Sequence, residues 1–255
     1  MNNVIDAYLA SRSYAPNSIR HRKAVFGGLI RYFDPATGTA EDYLDWWASK
    51  ADQAPATRRS AWQATRGLLD WLVDAGIRTD NPARLVRAPN VPKAPPKVLT
   101  ADEVRNLRQS LVDESEQLMV ELMLSCGLRI AECARVDADD LDRDMEFLRV
   151  AGKGGKVAMV PVPSEIVAIW PPAGSGPVFG VVPNTMHARI KRVFARAEIE
   201  GNHTAHSLRR TCATEMARRN VPMHVVAAVM RHDSVSTLNY YTAVSADDLR
   251  RAIGE

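Results

Sequence analysis

Ala88-Pro89-Asn90-Val91-Pro92-Lys93-Ala94-Pro95-Pro96-Lys97-Val98 divides this chain of 255 residues in two. Four prolines in eleven residues remove the N–H groups that a helix interior or a central strand needs, so the segment reads as an extended, semi-rigid linker over 89–98. Residues 1–88 read as a small all-helical domain of about four helices. The stretch 16–33 is apolar at Ile19, Val25, Phe26, Leu29, Ile30 and Phe33. Thr39-Ala-Glu-Asp42 is a capped start ahead of Tyr43, Leu44, Trp46 and Trp47. The stretch 57–75 sets Ala61, Trp62, Thr65, Leu68, Leu69, Leu72 and Val73 near one face, with Gly76 as C-cap. Trp46, Trp47, Trp62 and Trp71 read as core rather than as platforms for stacked bases.

Residues 99–255 read as a second domain. Thr100-Ala-Asp-Glu103 is a capping box that opens a helix. Another helix covers 116–126, Gly127 breaks it, and a short helix follows from Ile130. The period then changes: Phe147-Leu-Arg-Val150, the turn Gly152-Lys-Gly-Gly155 and Val157-Ala-Met-Val160 form a β-hairpin. Helices resume over 184–196, 207–219, 223–230 and 246–253. The fold class is therefore mainly α with a small β-hairpin or sheet (α+β).

Hydrophobic residues at 46% and charged residues at 25% exclude a wholly disordered chain and a collagen-like fibre. No run approaches the ~18 apolar residues of a membrane helix, and the start carries no basic region ahead of an apolar core. The three cysteines form no CxxC, so we expect reduced thiols in a cytoplasmic protein and no metal site. The net charge is only +3, but it is sorted. Acids gather from Asp137 to Glu146; between Arg189 and Arg219, eight Arg and Lys face only Glu198, Glu200 and Glu215. Such a chain can show a basic face to a polyanion while staying near neutral. Solvated helix faces account for the same charges equally well.

Four patches carry chemistry: Cys126-Gly-Leu-Arg129-Ile-Ala-Glu132, Gly152-Lys153-Gly-Gly-Lys156, His206-Ser-Leu-Arg209-Arg-Thr-Cys-Ala-Thr214, and Met230-Arg231-His232 with Tyr241 nine residues later. Together, in this order and with Val160-Pro161 after the hairpin, they resemble the signature of the tyrosine recombinase (phage integrase) family. The resemblance is strong over 99–245 and weak over the N-terminal domain. It implies a helical core-type DNA-binding domain followed by a mixed, mostly helical catalytic domain. It also implies the short form of the family, without an arm-type DNA-binding domain.

The chemistry implied is site-specific DNA cleavage and rejoining through a 3′-phosphotyrosine. In-line attack on a phosphodiester places negative charge on the phosphate oxygens, and guanidinium forks match a pair of nonbridging oxygens. By the resemblance, Arg129 and Arg209 take that role and Tyr241 is the nucleophile. Lys153 is the acid for the departing 5′-oxygen, His206 assists proton movement, and His232 hydrogen-bonds the phosphate. Glu132 supports the basic residues. The family needs no cofactor and no metal. Tyr240 is the direct rival of Tyr241; spacing from His232 favours Tyr241.

Two positions depart from the family pattern. Arg231 stands where a small residue, glycine, is usual, which implies an altered backbone or an added phosphate contact, and Ser207 stands where aspartate is common; neither removes a catalytic group. The implied partners are double-stranded DNA attachment sites, a homotetramer working through a Holliday junction, and an accessory directionality factor, with no membrane. Candidate DNA contacts are Arg20, Arg22, Lys23, Arg58, Arg59, Gln63 and Arg66 on the second and fourth helices, and Lys93 and Lys97 in the linker. Arg59, Gln63 and Arg66 fall on one helix face. The expected role is phage integration and excision in a bacterial host. The alternatives are a Xer-like chromosome or plasmid dimer resolvase, a catalytically silent DNA-binding regulator, and a type IB topoisomerase.

Overall fold

The computed structural model describes residues 2–92, 97–152, 155 and 157–231. The chain divides into two compact units, Met1–Lys93 and Ala94–Glu255, and the division falls inside the proline-rich segment.

The first unit contains α1 (Asn2–Ala10), α2 (Pro16–Leu29), α3 (Ala40–Ala48), α4 (Pro55–Asp74) and a 3-10 turn, Pro82–Leu85. Proline opens α2 and α4, where its fixed φ fits and its missing N–H costs nothing. Thr39 caps α3 reciprocally: the Asp42 N–H donates to Thr39 Oγ1 at 3.2 Å, and the Thr39 N–H donates to Asp42 Oδ2 at 2.8 Å. Helix α4 ends at Gly76, whose φ of +70 a side chain would strain; the Ile77 N–H then returns to the Leu72 carbonyl. Helix α2 stops at Leu29 rather than Phe33, because Gly27 and Gly28 weaken its last turn. Phe33 still reaches the core, edge-on to Tyr43. That core holds Tyr8, Phe26, Trp46, Leu68, Leu69 and Leu72, with Trp62 and Trp71 packed at its margin.

The second unit contains α5 (Ala101–Gln109), α6 (Glu114–Leu124), α7 (Ile130–Cys133), a sheet, then α8 (Ser164–Ala168), α9 (Pro183–Arg196), α10 (Ala205–Arg218) and α11 (Met223–Val229). The Thr100–Glu103 box caps α5. The sheet is antiparallel in the order β1 (Leu141–Asp142), β2 (Phe147–Ala151), β3 (Val157–Pro161), with Leu148 opposite both Leu141 and Val160. Alternation buries Leu148 and Val150 and sends Arg149 outward to an ion pair with Asp140. Strand β1 and helix α8 add to the sequence expectation. Both are too short to carry a periodic signal, and β1 lies within the acidic run.

Helix α6 runs through the core, with Leu118, Met119, Val120, Leu122 and Met123 buried. It packs on α10, and α9 contributes Met186, Ile190 and Val193. A second cluster, Cys212, Ala213, Val226, Ala227 and Met230, ties α11 to α10. The hairpin-turn residues Lys153, Gly154 and Lys156 lie outside the described residues, as does the expected helix over 246–253. Among the described residues, no helix is long and apolar enough to cross a membrane.

Candidate active site

The site is built where α6 ends. Gly127, at φ +63, turns the chain, and the Leu128 N–H returns to the Leu122 carbonyl at 2.8 Å. A Cβ at Gly127 would meet Met230 Sδ at 2.7 Å, so both the backbone and the packing call for glycine here. The turn delivers Arg129 to the N-cap of α7. Its backbone N–H donates to Glu132 Oε2 at 2.8 Å, and its Nη1 to Glu132 Oε1 at 2.6 Å. Its Nη2 donates to the Arg231 carbonyl at 3.1 Å.

Arg209 enters from the first turns of α10 and is 4% exposed. Its terminal nitrogens donate to the Gly127 and Met230 carbonyls, and its Nη1 lies 3.9 Å from Glu132 Oε2. Arg231 follows α11 at φ +50, and its side chain turns inward. It donates to Gly127 O at 2.8 Å, Glu132 Oε2 at 2.9 Å and Val229 O at 2.7 Å. Three guanidinium groups thus surround one carboxylate. Burial pushes the Glu132 carboxyl up, but the Arg129 N–H and the Arg231 and Arg129 charges outweigh it and hold it below the ordinary range.

His206 stands exposed in the first turn of α10. Partial desolvation of the ring, then the positive charges of Arg210, Arg209, Arg129 and His187, push its pKa below the usual value, so the neutral imidazole is favoured. Arg129, with 38% of its side chain exposed, is the guanidinium of the cluster that solvent reaches most. The arrangement suits an anion with several oxygens. Such an anion would reach the more exposed Arg129 before the buried Arg209, and a neutral imidazole at His206 could take part in proton movement. The thiols of Cys126, Cys133 and Cys212 are buried, and desolvation raises all three, leaving them as packing groups.

The structure thus brings Arg129, Glu132 and Arg209 into one cluster from two segments of the chain, with His206 within electrostatic reach of Arg209 and Arg129. Lys153, His232 and Tyr241 lie outside the described residues, as does Lys93. Sequence reasoning missed the inward turn of Arg231 and the use of the Gly127 and Met230 carbonyls as acceptors. The signal was the arginine in place of the family's glycine: the altered backbone expected from it is present at φ +50, while the side chain turns onto Glu132.

In the first unit the candidate DNA contacts behave differently from one another. Arg22 lies over Tyr14 at 4.2 Å, Arg58 over Trp47 at 4.9 Å and Arg66 over Trp62 at 4.9 Å. Lys23 pairs with Asp6 at 3.3 Å, Arg66 with Asp70 at 3.7 Å, and Arg20 donates to Asn17 at 3.3 Å. Arg59 and Gln63 are exposed on α4. Gln63 lines a cleft of about 310 Å³ between α2 and α4, with Asn17, Ser18, His21, Arg22 and Ser60. His21 and Ser60 close it with a 2.7 Å hydrogen bond. Lys97 is exposed at the start of the described part of the second unit.

Comparison with known proteins adds three findings. The model of the phage integrase family matches residues 97–171 and 181–247. The tyrosine recombinase XerD of Xanthomonas axonopodis is 26% identical, over 97% of this chain and 93% of that protein; XerD of Mycobacterium leprae is 32% identical, over 73% and 69%. Among solved structures, a lambda integrase tetramer bound to a Holliday junction shares the fold, with a TM-score of 0.76 at 16% identity over 94% of this chain and 76% of that one.

Proposed function

This chain belongs to the phage integrase family, the tyrosine recombinases, and we propose that Tyr241 is the nucleophile with which it breaks DNA. It is a tyrosine-type site-specific recombinase. The observation that carries the assignment of residues is the convergence of Arg129 and Arg209 on Glu132, which spans the two boxes of the sequence signature.

In the proposed reaction the Tyr241 oxygen attacks phosphorus in line. The P–O5′ bond breaks as the P–O bond to tyrosine forms, and Lys153 gives its proton to the departing 5′-oxygen. The free phenol is a weak nucleophile at neutral pH, so its proton must leave; His206, held neutral, assists that movement. Arg129 and Arg209 balance the charge that grows on the nonbridging oxygens, and His232 adds a hydrogen bond. Glu132 orients the arginines. The phosphotyrosine keeps the energy of the broken bond, so a 5′-hydroxyl from a second duplex reverses the step and completes strand exchange without a nucleotide cofactor. Four copies acting on two sites through a Holliday junction fit this chemistry, and a lambda integrase tetramer is bound to a Holliday junction in its solved structure.

Phage integration and excision is the role we assign. Resolution of chromosome or plasmid dimers is the second reading, favoured by the two XerD relatives. The deciding experiment incubates purified protein with nicked suicide DNA carrying candidate sites from the genomic junctions around its gene. Wild type and Tyr240→Phe form a denaturation-resistant adduct, and Tyr241→Phe does not. Integration requires two unlike sites, whereas dimer resolution joins two copies of one site. Tight, specific binding without any adduct would instead assign a DNA-binding regulator.

A further inference from the structure

Arg231 occupies a left-handed backbone, φ +50, which glycine adopts freely and a residue with a Cβ does not. Its side chain is 7% exposed, and it spends its hydrogen bonds on the site rather than on solvent. Nη2 serves both Gly127 O and Glu132 Oε2, Nη1 serves Val229 O, and the residue's own carbonyl accepts from Arg129. We propose that Arg231 is a positioning residue of the active site, one that holds Glu132 and the Gly127 carbonyl so that the charges of Arg129 and Arg209 act on the DNA phosphate. The proposal rests on the recombinase reading above.

Two arguments support it. The first is charge. Glu132 faces Arg129 and the Cys133 thiol from its own segment, Arg209 from α10, and Arg231 from beyond α11. The Cys126 and Cys212 thiols, raised by burial, are neutral neighbours of Arg231, and His206 lies within electrostatic reach of Arg129. With Arg231 the cluster carries three cations and one anion; without it the carboxylate offsets half of what is left. The second argument is hydrogen bonding. Arg209 and Arg231 both donate to Gly127 O. When Arg209 turns a nitrogen to a phosphate oxygen, Arg231 leaves that buried acceptor paired, so the turn costs less.

The test compares wild type with Arg231→Gln, Arg231→Lys and Arg231→Gly on nicked suicide DNA from pH 5 to 9, alongside the ¹³C titration of the Glu132 carboxyl in the DNA-free protein. Removing the charge in Arg231→Gln should slow adduct formation about 10–100-fold, as loss of a supporting partner does. DNA affinity should stay within about threefold, because the side chain is buried away from solvent. The Glu132 carboxyl should titrate about one pH unit higher in Arg231→Gln and stay near the wild-type value in Arg231→Lys. Arg231→Gly should be as slow as the glutamine variant, although it relieves the backbone. The lysine and glycine variants decide the matter if the glutamine variant does not fold. A glycine variant as fast as wild type, or an unchanged Glu132 titration in an active protein, overturns the role of Arg231. An inactive wild type in which the carboxyl still responds to Arg231→Gln overturns the recombinase reading and leaves the ion pair standing.

Discussion

Arg231 Nη2 lies 2.9 Å from Glu132 Oε2 across 99 residues of chain, while Arg129 holds the other carboxylate oxygen at 2.6 Å. Glu132 therefore joins the turn after α6 to the turn after α11, and its removal strands a buried guanidinium. Glu132→Ala should cost about 3 kcal/mol of stability, as loss of one partner of a buried pair does. Glu132→Gln keeps one acceptor and should cost less. Urea unfolding of the two variants beside wild type measures the difference.

The same carboxyl sets a pH dependence. Its folded pKa lies below its ordinary value of 4.5, despite burial, because the Arg129 N–H and the Arg231 and Arg129 charges favour the ionised form. A depressed carboxyl contributes stability that is present above the unfolded pKa and lost as pH falls through the folded one. Wild type should therefore lose stability more steeply than Glu132→Gln as pH drops below about 4.5. Melting temperatures across that range check the sign.

His206 gives a second, separate titration. Desolvation, then Arg210 and Arg209, hold its pKa below 6.5, so the neutral base persists to more acid pH than a free histidine allows. The acid limb of adduct formation should accordingly fall below pH 6.5. In His206→Gln that limb should vanish and the maximal rate should drop about 10²-fold. A limb at or above the free-histidine value contradicts the assignment.

Gly127 is held by its φ of +63 and by Met230 Sδ, which an added Cβ would meet at 2.7 Å. Gly127→Ala should cost about 1–2 kcal/mol through the left-handed backbone alone. It should also displace the carbonyl that Arg209 and Arg231 share, so adduct formation should fall more than the melting point predicts.

On the first unit, packing separates two kinds of arginine. Arg59 is exposed on α4, whereas Arg58 lies over Trp47. Arg59→Ala should weaken DNA binding and lower the slope of log Kd against log salt by about one, with the melting point unchanged. Arg58→Ala should instead cost about 0.5–1 kcal/mol of stability through the lost ring contact.

Much of this architecture is legible in the sequence because local chemistry writes it there. The Thr39 and Thr100 capping boxes, Gly76 and Gly127 all do in the fold what their residue types dictate. The alternation around Leu148 and Val150 marks the hairpin. The unanticipated parts depend on contacts between distant segments. Strand β1 exists because Leu141 meets Leu148, not because two residues in an acidic run favour a strand. An arginine in place of the family's glycine suggests an altered backbone or a phosphate contact, and only the folded chain places Glu132 and the Gly127 carbonyl where Arg231 turns in. Likewise Arg22, Arg58 and Arg66, as basic residues on the second and fourth helices, suggest contacts to a partner, while the rings beneath them, Tyr14, Trp47 and Trp62, are set by the packing of the unit.

The central claim is that DNA is broken by covalent attachment to Tyr241. The most direct measurement traps the adduct on nicked suicide DNA, digests protein and DNA, and locates the nucleotide-bearing residue by tandem mass spectrometry. The account predicts a phosphodiester-linked nucleotide on Tyr241 and an unmodified Tyr240. A nucleotide on Tyr240, or cleaved DNA with no tyrosine modified, would contradict it.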